Sequence, residues 1–92
     1  MNLEIVWTGR FKKDYKKAMK QGLPIEKLDI VIRLLASCVE LPKEYKDHLL
    51  SGPWSGHREC HILPDWLLIY KVDHGKLVLT LARTGSHSEL LE

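Results

Sequence analysis

The segment Trp66-Leu-Leu-Ile-Tyr-Lys-Val72 constrains this chain more than any other. It is apolar except for Lys71, follows a Pro64-Asp65 turn, and leads into Asp73-His74-Gly75-Lys76. A run of this kind reads as a strand buried on both faces or nearly so, which requires a sheet with further layers packed on it. The strand after it, Leu77 to Arg83, is joined by a hairpin in which Gly75 is available for a positive φ. The strand before it, Arg58 to Leu63, alternates: Cys60 and Ile62 point one way, Glu59 and His61 the other.

The first half of the chain supplies the cover. Leu3 to Trp7 reads as a short strand, rich in β-branched and aromatic residues. Thr8 caps a helix from Arg10 to about Gln21, whose apolar stripe is Phe11, Tyr15 and Ala18. Lys12, Lys13, Lys16, Lys17 and Lys20 occupy the opposite arc, and Gly22 stands at the C-cap. Pro24 suits the first turn of a second helix running to about Val39. Its polar residues Glu26, Asp29, Arg33, Ser37 and Glu40 form one narrow stripe, so most of its surface is buried. Pro42 ends it, the stretch through Gly52, Pro53 and Gly56 is loop-like, and Ser86 caps a last short turn ending at Leu91. The order strand-helix-helix-strand-strand-strand predicts an α+β fold, with two N-terminal helices packed on a small antiparallel sheet. We expect one domain over residues 1–92, with no repeat and no linker.

Composition excludes more than it identifies. The formal net charge is +2, too mild to announce a nucleic-acid binder by itself. No apolar run approaches a membrane span, and the N-terminus lacks the basic-then-apolar order of a signal peptide, so the expected location is cytoplasmic, away from any membrane. Cys38 and Cys60 are far apart and read as reduced thiols. His57 and His61 are four apart, but the order is His-Arg-Glu-Cys-His, in a strand context, and lacks the helical zinc signature. Four zinc ligands are not evident, so neither a metal nor another cofactor is expected. His74 sits in a hairpin turn, where a solvated side chain is the ordinary outcome.

What remains is a concentration of chemistry. His48, Glu59, His61, Asp65 and Trp66 fall between Tyr45 and Trp66, and Arg83 and His87 follow near the end. These are the residue types that proton transfer and phosphate stabilisation at an RNA backbone require. Each has a plainer reading. Asp65 suits a turn after Pro64, Trp66 suits a core, and Trp54 suits an anchor for its loop. Arg58 pairs with either a carboxylate or a phosphate. The lysines of the first helix form either a solvated face or an electrostatic rail along RNA. Whether Asp65 and Arg83 share one end of the sheet depends on topology.

Tyr45-Lys46-Asp47-His48, then Gly52-x-Trp54-x-Gly56-x-Arg58-Glu59-x-His61, then Pro64-Asp65-Trp66-x-Leu68-Ile69-Tyr70-Lys71, then Arg83-Thr84-Gly85-Ser86-His87, occur in that order. Together they resemble the YafQ branch of the RelE toxin superfamily, over about half the chain. The resemblance implies a RelE-like fold and a type II toxin that cuts messenger RNA in the ribosomal A site. It also implies a cognate antitoxin of the RelB/DinJ kind, with operator DNA bound only through the toxin–antitoxin complex. It places the catalytic positions on His48, His61, Asp65, Arg83 and His87. Glu59 stands where relatives often have aspartate, Trp66 matches the aromatic after the aspartate, and Leu91 replaces a usual phenylalanine. Glu59, Trp66, Leu91, Lys12, Lys13 and Lys16 are the expected substrate contacts.

The chemistry fits those residues. Metal-free RNA cleavage uses the 2′-hydroxyl as nucleophile, so a base, an acid and a cation suffice. Arg83 is assigned to the phosphate and His87 to the general acid; His61, His48 or Asp65 acts as base or holds it. Histidine titrates near neutrality, so a modest shift serves either role. Glu89 and Glu92 add negative charge beside His87. Three rivals compete: a ParE-like binder of DNA gyrase, which does not need this histidine set, an antitoxin-binding co-repressor, and a metal-dependent hydrolase, which chelators would silence.

Overall fold

The computed structural model describes residues 2–91. Its elements are β1 (Glu4–Trp7), α1 (Gly9–Lys20), α2 (Ile25–Ala36), β2 (His48–Leu49), β3 (Arg58–Leu63), β4 (Trp66–Asp73), β5 (Val78–Gly85) and α3 (His87–Leu90). Short 3-10 turns cover Lys43–Tyr45 and Gly52–Trp54. The sheet order is β1-β5-β4-β3-β2. The apolar strand β4 therefore lies at the centre, and Trp66 to Tyr70 are all buried.

The α+β reading holds, with differences of detail. The sheet is mixed, because β1 runs parallel to β5 while the other pairs are antiparallel. Parallel neighbours cannot be joined by a hairpin, and most of the chain intervenes between these two. A two-residue strand, β2, extends the sheet beyond β3.

The helix ends are built from local chemistry. The Thr8 hydroxyl accepts the Phe11 N–H at 3.1 Å and donates to the Leu81 carbonyl at 2.8 Å, so the cap of α1 also ties it to β5. Gly22 takes φ +75°, and the Leu23 N–H turns back onto the Ala18 carbonyl at 3.1 Å, closing a Schellman motif. α2 stops at Ala36, before the expected Val39. There Cys38 adopts φ 58°, the left-handed position usually given to glycine, and the Val39 N–H bonds the Leu34 carbonyl. The β4–β5 turn also differs from expectation. Its positive φ falls on Leu77 (57°), not Gly75, because the Asp73 carboxylate accepts the Lys76 N–H at 3.0 Å and shapes the turn from its first residue.

The sheet has two unequal apolar sides. Phe11, Leu28, Val31 and Leu35 of the helices pack on Cys60, Leu68, Tyr70, Leu79 and Leu81. On the other face Leu67 and Ile69 form a smaller cluster under Leu90, with Leu50 and Trp54 against it. Each such side chain stabilises the fold by roughly 1.5–3 kcal/mol. Trp54 thus anchors its loop, as its setting suggested.

A β-bulge decides what β5 presents. Tyr70 pairs with Leu81, yet its neighbour Ile69 pairs with Arg83, so Ala82 is the extra residue. Strict alternation would send Arg83 into the helix-covered core with Leu79 and Leu81. The bulge shifts it out of that core, to where Asp14 of α1 meets it.

Candidate active site

One register row crosses the sheet through His48, Glu59, Ile69 and Arg83. Ile69 lies on the face away from the main core, and Arg83 at the end of the row reaches Asp14 of α1. The next row is His61, Leu67 and Gly85. Ile69 and Leu67 are the apolar floor, and the polar residues flank them.

Glu59 is the buried member, 1% exposed. Its Oε1 lies 3.5 Å from both His48 Nε2 and His61 Nε2, so one carboxylate faces two imidazoles. Its Oε2 is buried with no hydrogen-bond partner among the described residues. The His48 Nδ1 is 2.7 Å from the Lys46 carbonyl, which can only accept, so Nδ1 carries the proton. Expected as a substrate contact, Glu59 is instead enclosed beneath the histidines, because its alternation phase sets it on a strand flanked by both β2 and β4.

The helix α3 brings the remaining histidine. Beyond Gly85 the chain folds back over the open face, and Leu90 packs onto Leu67 and Ile69. A Cβ on Gly85 would meet Leu90 at 3.3 Å and Glu89 at 3.2 Å, so the missing side chain permits this approach. Ser86 and Glu89 form a reciprocal capping box. His87 is then anchored from β3–β4: the Asp65 Oδ1 accepts its backbone N–H at 3.1 Å and lies 3.3 Å from its Nδ1. Those bonds, the backbone one foremost, hold the Asp65 carboxyl below its ordinary range. Asp65 is therefore both a turn residue and a partner of His87. The His61 and His87 rings meet edge to face, centroids 5.5 Å apart.

Asp65 and the end of β5 lie at the same end of the sheet, since Leu67 pairs with Gly85. Arg83 is gripped there by Asp14 of α1, Nε to Oδ2 at 2.7 Å and Nη2 to Oδ1 at 3.2 Å. That bond is the leading cause holding the guanidinium above its usual pKa. Asp14 was not singled out from the sequence, although it is the lone acid among the lysines of α1. Arg58 finds its carboxylate in Asp47, at 3.3 Å, which also accepts from the Tyr70 hydroxyl.

The other expected contacts have varied settings. Trp66 is only 2% exposed and belongs to the helix-side core, so its faces are not open to stack on a base. As the neighbour of Leu67 in β4, it points to the opposite side of the sheet. Leu91 is exposed at the end of α3, and Lys12, Lys13 and Lys16 are exposed along α1. Lys17 pairs with Glu89, whose carboxyl this bond, followed by the Ser86 backbone, draws down to about 2. Glu92 lies outside the described residues.

The cysteines are free, Cys38 exposed and Cys60 buried. Burial, then Asp47 and Glu59, pushes the Cys60 thiol upward, away from reactivity. Glu59, His61 and His87 each place one donor atom within 4.8 Å of the others. Donors of a tetrahedral zinc stand roughly 3.4 Å apart, so the cluster would have to tighten to hold an ion. Strand spacing concealed this grouping, because His87 joins it only through α3. Among the described residues, no helix is long and apolar enough to cross a membrane.

This fold has counterparts among known proteins. The family model described as a bacterial toxin of type II toxin–antitoxin systems, YafQ, matches residues 3–92. The chain is 41% identical over 88 residues to the mRNA interferase toxin YafQ of Escherichia coli K12, covering 95% of this chain and 94% of that one. It superposes on the toxin in the E. coli DinJ–YafQ toxin–antitoxin complex with a TM-score of 0.90 at 39% identity, over 100% of both chains. A metal-bound toxin from Helicobacter pylori gives a TM-score of 0.90 at 42% identity, over 97% of this chain and 99% of that one. The chain belongs to the YafQ family of type II toxins.

Proposed function

We propose that this chain is a toxin of one domain, residues 1–92, that cuts messenger RNA in the ribosomal A site. A DinJ-type antitoxin would neutralise it, and operator DNA would be bound only through that complex. Its place of action is then the cytoplasm, where ribosomes translate. The observation that carries the reading is the pairing of two imidazoles at 5.5 Å, one backed by Glu59 and the other by Asp65.

The roles follow from what each side chain is tied to. His87 is held through its backbone and Nδ1 by Asp65, which leaves Nε2 to give a proton to the 5′-oxygen. Asp65 is accordingly the residue that holds the acid. His61, faced by Glu59 and packed against His87, takes the 2′-hydroxyl proton, with His48 on the same carboxylate as its reserve. The freed 2′-oxygen attacks phosphorus, the P–O5′ bond breaks, and the leaving oxygen takes the His87 proton. Arg83 balances the charge that grows on the phosphate. The exposed lysines of α1 serve as a rail for the RNA backbone. Proton donor, acceptor and cation are all supplied by side chains, so the chemistry is complete without a metal.

Primer extension on a translated message tests this. Purified protein and ribosomes, with EDTA but enough magnesium to keep ribosomes intact, should give codon-positioned cuts. His87→Ala should give none. A folded wild type that leaves the message intact would overturn the proposal and direct attention to gyrase and operator DNA.

A further inference from the structure

The Asp14–Arg83 contact has a shape that a merely structural ion pair does not need. Asp14 bonds the guanidinium along one flat edge, using Nε–H and one N–H of Nη2. The carboxylate is itself fixed, since Oδ2 also accepts the Thr84 backbone N–H at 3.1 Å. Both side chains are largely enclosed, 17% exposed for Arg83 and 13% for Asp14. Asp14 sits mid-helix in α1, and Thr8 locks that helix to the Leu81 carbonyl of β5. The grip on Arg83 is therefore rigid at both ends.

Donor arithmetic shows what this leaves. Of the five guanidinium N–H groups, Asp14 takes two. The other three include a pair on Nη1 and Nη2 that lie parallel, the fork that matches two oxygens of a phosphate. The cost of the arrangement is electrostatic: a carboxylate beside a phosphate-binding arginine weakens its pull on an anion. It sits, moreover, among lysines whose charge would attract RNA. What offsets that cost is orientation, because a free arginine must be ordered along its whole flexible stem when the phosphate arrives.

We propose that Asp14 is a positioning residue for Arg83, holding one edge of the guanidinium so that the other is presented to the scissile phosphate. This rests on the endoribonuclease reading above.

The test compares Asp14→Asn, Asp14→Glu and Arg83→Ala, alone and combined, in ribosome-dependent cleavage. Asp14→Asn should lower kcat by about 10–100-fold with little change in KM, the pattern of a contact made in the transition state. Asp14→Glu should recover part of the loss. On the Arg83→Ala background, Asp14→Asn should change nothing further; an equal loss on both backgrounds would overturn the proposal. A second arm avoids cleavage: the Arg83 Nε–H NMR resonance is followed during titration with a 2′-O-methyl RNA oligonucleotide. A response in wild type that vanishes in Asp14→Asn supports the positioning role, and equal responses overturn it. A wild type that cuts nothing yet shows this Asp14-dependent response would sink the nuclease reading while sparing Asp14's role.

Discussion

The imidazoles of His61 and His87 meet at 5.5 Å and 63°, although one lies in β3 and the other in the last helix. Each is backed by a different carboxylate, Glu59 for His61 and Asp65 for His87. Two histidines with separate supports can hold opposite protonation roles, one accepting and one donating. Either His61→Ala or His87→Ala should lower cleavage by about 10²–10⁴-fold. The double variant should fall little below the worse single one, since the pair acts as a unit. Rates from single-turnover cleavage check this; strictly multiplicative losses would mean that the two act in separate steps.

Glu59 is a buried carboxylate with one oxygen unpartnered. Glu59→Gln puts an amide where the carboxylate faces His48 and His61, and is expected to slow cleavage by about tenfold with stability within about 1 kcal/mol of wild type. Urea unfolding together with kcat decides. A destabilisation of more than about 2 kcal/mol would show that the carboxylate holds β2 and β3 together.

Glu89 links α3 to α1 through Lys17 and caps α3 through Ser86. Its carboxyl is drawn from 4.5 to about 2, so its stabilisation is fully present above pH 4.5 and disappears as pH falls toward 2. Glu89→Gln should therefore lose about 1 kcal/mol at pH 7, a figure already reduced for solvent screening of a side chain 35% exposed. At pH 2 the variant and wild type should unfold together. Thermal melts across that range provide the check, and a difference persisting at pH 2 would refute it.

The proton-transfer roles need His61 and His87 as free imidazoles, and a soft cation at Glu59, His61 and His87 would occupy them. Chelator is expected to leave cleavage unchanged, whereas added zinc should inhibit and EDTA restore it. Loss of activity in chelator alone, with ribosomes intact, would replace the metal-free mechanism.

The elements themselves were legible because their signals are local. Thr8 and Gly22 mark the ends of α1, the Phe11–Tyr15–Ala18 stripe marks its buried side, and Ser86 caps α3. The alternation of β3 correctly separated Cys60 from Glu59 and His61. Exceptions arose where another residue took over a conformational task, as Cys38 did at the end of α2 and Leu77 in the β4–β5 turn. Trp66 shows the limit for single residues: an aromatic beside Asp65 reads equally as a base contact or as core, and the face of β4 it occupies buries it.

The sequence by itself determined the α+β class, the burial of β4 on both faces and the inventory of histidines, carboxylates and arginine, since composition and periodicity act over a few residues. Tertiary structure alone decided which of them meet. The Ala82 bulge turned Arg83 out of the core, Gly85 let α3 close over the sheet, and Asp14 reached Arg83 across 69 residues of chain. Such contacts depend on register and on the path of the chain in space, to which a period of two or of 3.6 residues is blind.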